Sequence, residues 1–184
     1  MGLFGRKSKQ GPSHEFFMGV LPGALHQAED ARALFYSVLE QVSSTPTEVV
    51  MAAAPALCMV EAAHGRASAL ESIAVAESSA GRLDSRVVAL VRQLRAATES
   101  DWINFTRGLG MVLFHPAENS STDFRVRSSV PGSMEHELTN AATTQFQEWW
   151  SANRAECAPV DVPTFSEVYQ RTTEEFKSAT SIKG

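Results

Sequence analysis

Among residues that could hold a metal or move a proton, Glu61-Ala62-Ala63-His64 stands first. It sets a carboxylate and an imidazole one helical turn apart, the unit that carboxylate-bridged di-metal bundles use twice. The chain has no second copy, and His26-Gln27-Ala28-Glu29 runs in the reverse order. The expectation is therefore no metal, with Glu61 and His64 on a solvated face near a helix end, where a cationic imidazole suits the helix dipole. His115, Glu118 and Asp123 offer an acid-base set within one loop. Nothing nearby supplies a nucleophile, since no Gly-x-Ser-x-Gly elbow occurs. Arg107-Gly108-Leu109-Gly110 lacks the third glycine, the lysine and the preceding strand of a nucleotide loop. Cys58 and Cys157 have no neighbouring Cys or His at zinc-ligand spacing and form no disulfide framework, so two reduced thiols are expected. On these residues the chain carries no catalytic set, no metal and no cofactor.

Binding residues are easier to name. His115 to Pro131 has no helical period, is polar, and holds one alternating run, Phe124-Arg125-Val126-Arg127. Such a segment can pair with a partner's strand or present Arg125 and Arg127 to an anionic group. Trp149 and Trp150 point about 100° apart on a helix, so both are buried only under a wide cover. The pair is expected either as core packing or, with Trp150 partly exposed, as an interface anchor at Trp150. At the start of the chain Gly2, Leu3 and Phe4 precede Arg6, Lys7 and Lys9, with no acid before Glu15. That combination suits an anionic membrane surface. Arg6 stands where the N-terminal acylation pattern has Ser or Thr. Arg107-Gly108-Leu109, with the indole of Trp102 before it, resembles a run in lipid-transfer α-bundles. The acidic and lysine head-group residues of that pattern have no counterpart, and no residue role is carried over.

Composition bounds the rest. The 184 residues are 43% hydrophobic and 20% charged, enough for one soluble domain with a sizeable core. A net charge of -5 argues against nucleic acid as the partner. All lysines (Lys7, Lys9, Lys177 and Lys183) lie at the two ends of the sequence, and the body uses arginine only. No apolar run reaches the roughly 18 residues of a membrane span, and no secretory h-region follows the first basic residues.

The elements that must position these residues are helical. Val87, Val91, Leu94, Thr98, Trp102, Phe105, Leu109 and Val112 recur every three or four residues. This predicts a long helix over about 84–114 at the centre of the fold, capped by Asp84 and stopped by His115-Pro116. Thr98-Glu99-Ser100-Asp101 also reads as a capping box, which would bend it near Ser100, and Gly108 and Gly110 loosen its end. His14 to Val20 is one short helical turn, and Pro22 opens a helix to about Val42. Thr45-Pro46-Thr47-Glu48 opens another, which reaches His64, ends at Gly65 and is broken or kinked near Pro55. An alanine-rich helix follows from Arg66 to Ser79. Gly132-Ser133 starts the helix of the two tryptophans, and Thr164-Phe165-Ser166-Glu167 is the capping box of the last one.

The expected fold is all-α. It is a single-domain bundle of about six or seven helices over 14–180, with a flexible basic segment at 1–13, an irregular loop at 115–132 and a frayed tail at 181–184. The expected function is a non-catalytic protein-interaction module, an adaptor or a subunit of a larger assembly. Its contacts are Phe124, Arg125, Val126, Arg127 and Trp150, and its partner is a protein or a second copy. The alternative is a peripheral membrane or lipid-binding protein using Gly2, Leu3, Phe4, Arg6, Lys7 and Lys9. A ligand-binding or catalytic bundle around His64 or His115 comes third. Each reading puts the chain in the cytoplasm, the second at a membrane surface.

Overall fold

The computed structural model describes residues 11–41, 45–116, 131–158 and 161–181. Among the described residues there are five α-helices and no strand: α1 (Pro12–Gln41), α2 (Pro46–Ser79), α3 (Ser85–Phe114), α4 (Met134–Cys157) and α5 (Phe165–Ser181). The protein is all-α, with fewer and longer helices than its sequence suggests. The start signals hold. The Asp84 carboxylate accepts from the Arg86 N–H at 2.8 Å, and Ser133 Oγ from the His136 N–H at 3.2 Å. At Thr164, the backbone N–H donates to Glu167 at 2.8 Å while Thr164 Oγ1 accepts from the Glu167 N–H at 3.3 Å.

Two expected breaks are absent, each for a local reason. Pro22 and Pro55 lie inside α1 and α2, not at a helix start or break. A helical proline removes one N–H and strips the carbonyl four residues earlier of its donor. Those earlier residues are Met18 and Met51, 56% and 45% exposed, so the lost bonds fall on the wet side of each helix. Gly65 likewise does not end α2. A Cβ there would lie 2.6 Å from the Phe165 carbonyl oxygen. The missing side chain is what lets α5 reach the α2 backbone.

A third correction concerns the centre. α3 has the cleanest apolar stripe, yet α2 is the helix around which α1, α3 and α5 pack. Half of its 34 residues are buried, eight of them alanines spread around its whole circumference. A helix with one apolar stripe has one wet face; a helix apolar all round belongs inside. By length and composition α2 could also cross a membrane, contrary to the expectation that no run is apolar enough; in this fold three helices surround it. α3 itself does not break at Ser100. Thr98 Oγ1 donates back to the Leu94 carbonyl at 3.1 Å, and Asp101 is engaged by Arg32 of α1 at 2.8 Å, so neither residue acts as a new cap.

Cross-contacts set the directions. Ser13 bonds to Glu77 and Thr98 to His64, so α1 and α3 run antiparallel to α2. Phe35 stacks on Phe105 at 3.6 Å, so α1 and α3 are parallel to each other. α4 returns antiparallel along α3, with Gln147 donating to Thr106 at 3.2 Å. α5 runs parallel to the second half of α2, from Gly65 beside Phe165 to Tyr169, whose hydroxyl donates to Ser72 Oγ. The result is two cores. One gathers Phe35, Val50, Leu57, Phe105, Phe146 and Trp150 at the α3–α4 end. The other gathers Phe17, Leu21, Leu70, Val87 and Leu94 where α1 and α3 begin.

Candidate functional site

The motif that most resembled a metal site serves the fold. Glu61 is bound by Arg154 Nε at 2.7 Å, and the same guanidinium donates to the carbonyls of Val162 and Pro163, each at 3.2 Å. One arginine thus ties the end of α4 to the middle of α2 and to the segment that enters α5. His64 is not a cationic group on a solvated face near a helix end. It is half-buried in mid-helix, beside the ring of Phe165 at 5.3 Å. Burial lowers its pKa, Arg95 adds to that, and Glu99 opposes it. Thr98 gives its own proton to the Leu94 or Arg95 carbonyl. His64 Nδ1 is therefore the donor in the 3.3 Å contact with Thr98 Oγ1. The imidazole is a neutral bridge between α2, α3 and α5.

The remaining chemical candidates separate. Both cysteines are free thiols. Burial pushes Cys58 up to about 11 and raises Cys157 as well, which keeps both in the unreactive thiol form. The backbone N–H of His115 donates to the Met111 carbonyl and closes α3; Glu118 and Asp123 lie outside the described residues. His26 pairs with Asp30 at 3.3 Å on the open side of α1. Among the described residues no group of three or more His, Cys, Asp or Glu could hold a metal ion.

Of the expected partner contacts, Phe124, Arg125, Val126 and Arg127 lie outside the described residues, as do Gly2, Leu3, Phe4, Arg6, Lys7 and Lys9. Trp150 is described, and it corrects the sequence reading. It is 2% exposed, its ring parallel to that of Phe146 one turn earlier, with centroids 6.4 Å apart. Trp102, Leu113 and Trp149 pack against the core cluster to which it belongs. Trp150 is core and cannot anchor a partner in this conformation.

What the structure exposes is the first half of α1. From Phe16 to Ala28 the helix carries no Asp, Glu, Lys or Arg. Its outward residues there are Met18 and Leu25, 56% and 49% exposed, with Gly19, Pro22, Gly23 and His26 among them. Met18, Leu25 and Tyr36 lie close to whole numbers of turns apart, so they share one stripe. The outer faces of α3, α4 and α5 carry charge, with Arg86 and Arg92 on α3, Glu135, Glu148 and Glu156 on α4, and Glu174, Glu175 and Lys177 on α5, while the first half of α2 has a shorter uncharged run, Val49 to Val60, with Met51 and Pro55 exposed. Exposed apolar residues scattered singly are ordinary, but a contiguous uncharged stretch marks a contact surface. The signal was legible as a run of thirteen residues without a formal charge. Taking Pro22 as a helix start cut it in two.

This face opens onto a pole built from three parts of the chain. Phe16 and Phe17 of α1 meet Phe176 of α5, at 5.2 Å and 6.4 Å between centroids. Ser13 donates to Glu77 at 2.5 Å, and Arg82 grips the same carboxylate at 2.6 Å. Glu77 is held below the usual carboxylate range by the Arg82 hydrogen bond first, with burial opposing and Ser13 assisting. A depressed folded pKa adds stability above the unfolded value, lost as pH falls through the folded one. Wild type should therefore exceed Glu77→Gln in urea midpoint at pH 7, and the gap should close as the pH falls through the carboxylate range. A constant gap would show that the Glu77 charge is not what Arg82 and Ser13 stabilise.

Compared with known proteins, the chain matches no family model, no curated protein and no solved structure at a significant level.

Proposed function

We propose that this protein is a non-catalytic interaction module, a cytoplasmic subunit or adaptor that works by docking through the outer face of α1. One observation carries the reading: the exposed, charge-free stretch of α1 around Met18, Pro22 and Leu25. The side chains that sequence motifs offered for chemistry, Glu61 and His64, are already engaged in holding helices together. Phe124, Arg125, Val126 and Arg127 are a second proposed contact; Trp150 is withdrawn from that set.

Native mass spectrometry on gently purified protein tests the reading. Wild type should carry a second copy, a second chain or bound lipid, and Met18→Asp/Leu25→Asp should lose it. Met51→Asp/Met134→Asp, which charges two exposed methionines on other helices, should keep it. A bare monomer in all three samples would reject docking to a protein partner or a second copy.

A second reading, peripheral membrane attachment through Gly2, Leu3, Phe4, Arg6, Lys7 and Lys9, is favoured by the sequence alone, which has a basic cluster there and no acid before Glu15.

A further inference from the structure

Of the five helices α5 has the smallest share in the cores. Only Val168 and Thr172 among its 17 residues are buried. The Thr172 hydroxyl is buried with no hydrogen-bond partner among the described residues, which works against the packed state. Besides the exposed bond from Tyr169 to Ser72, two places fasten the helix. At its far end Phe176 packs on Phe16 and Phe17. At its start the Phe165 backbone lies against Gly65, and the Phe165 ring lies 5.3 Å from that of His64. Of the side chains at these places, only the imidazole is of a type that titrates near neutral pH.

The surroundings of His64 resist a proton. Burial is the largest obstacle; from α3, Arg95 opposes a cationic ring and Glu99 favours one. Those two are bonded to each other at 3.2 Å, and Arg95 also meets Glu71 of α2 at 3.5 Å. Glu61, one turn before His64, is taken by Arg154 of α4. The acid in the first turn of α5, Glu167, is turned back to the Thr164 N–H and hydroxyl. What α5 sets beside the ring is its own first turn, the positive end of a helix dipole. We propose that His64 is an acid-sensitive latch: when its ring gains a proton, α5 swings off α2. The hinge is the chain between Pro163 and Phe165, because Arg154 keeps hold of Glu61 and of the Val162 and Pro163 carbonyls. Opening gives the Thr172 hydroxyl to water and uncovers Gly65 and, one turn on, the buried Ala69 of α2. It also frees Phe16, where the uncharged run of α1 begins.

The sign follows from linkage. A ring that holds its proton less tightly when docked loses docking strength as the pH falls below 6.5, the ordinary imidazole value. The loss is at most about ten-fold per pH unit and levels off below the docked value. Glu77, held below the carboxylate range, acts only at lower pH, so the two effects stay apart. Hydrogen exchange read by mass spectrometry on the full chain, from about pH 7.5 down to about pH 4, tests the latch. In wild type the protection of α5 amides, relative to their intrinsic rates, should fall by up to about ten-fold between about pH 6.5 and 5.5, while α3 peptides hold theirs. His64→Gln, uncharged yet able to donate to Thr98, should keep α5 protection constant over that range. An equal fall in His64→Gln would overturn the latch. So would a wild-type profile that stays flat, or one that falls only near about pH 4.5, where carboxylates titrate. The wild-type profile decides even where His64→Gln loosens α5 at every pH.

Discussion

Arg154→Met should cost about 3–5 kcal/mol of unfolding free energy, the largest loss expected from a single substitution here. The arginine and its partner Glu61 are only 15% and 14% exposed. Removing the guanidinium leaves a mostly buried carboxylate without its cation. It also strips a donor from the carbonyls of Val162 and Pro163, and stranding buried acceptors adds to the loss. The double variant Arg154→Met/Glu61→Leu removes both charges and should recover much of the deficit, because an apolar pair often replaces a buried ion pair at little cost. Urea unfolding at pH 7 gives all three numbers. If Arg154→Met unfolds within about 1 kcal/mol of wild type, a loss ordinary for exposed ion pairs, the pair is not the strut described here.

The second large effect is expected at Gly110. A Cβ at this position would collide with the carbonyl oxygen of Ala142, and it would lie 2.8 Å from that residue's carbonyl carbon and 3.2 Å from Phe146 Cβ. Backbone cannot rotate away as a side chain can. Gly110→Ala must therefore push α4 off α3 and loosen the core of Phe105, Leu109, Phe146 and Trp150. Overpacking of this kind costs about 3 kcal/mol, or roughly 10 °C in melting temperature for a domain of this size. Gly19 and Gly23 have nothing within 4 Å of the added atom. There the same substitution should raise stability by about 0.5–1 kcal/mol, through helix propensity alone. Thermal melts of the three variants form one experiment. Equal melting of Gly110→Ala and wild type would mean that α3 and α4 do not approach as closely as described.

How far the sequence could be read depended on the range of the physics involved. Asp84, Ser133 and Thr164 announce their helices because a cap acts over three residues. Gly65 and Gly110 misled because their reason is a backbone from another helix, Phe165 in one case and Ala142 in the other. Inside a single sequence a glycine that permits close approach looks the same as one that ends a helix. The rank of α2 and α3 was inverted for a related reason. Periodicity detects the contrast between two faces, and the most buried helix has the least contrast. Trp150 is no anchor because it joins a core drawn from several helices, against which Trp102 and Leu113 of α3 also pack. The uncharged face of α1 was present as a run from Phe16 to Ala28, but its exposure could be known only once α2 and α5 had taken the other sides of α1.

The division into two cores governs what light can report about this molecule. All three indoles, Trp102, Trp149 and Trp150, belong to the core at the α3–α4 end, while the aromatics at the pole where α1 begins are Phe16, Phe17 and Phe176. Tryptophan emission therefore watches one end of the bundle, and the pole of Phe16, Phe17 and Phe176 is dark to it. A fluorophore placed near Met18 or Phe176 would give that end its own voice.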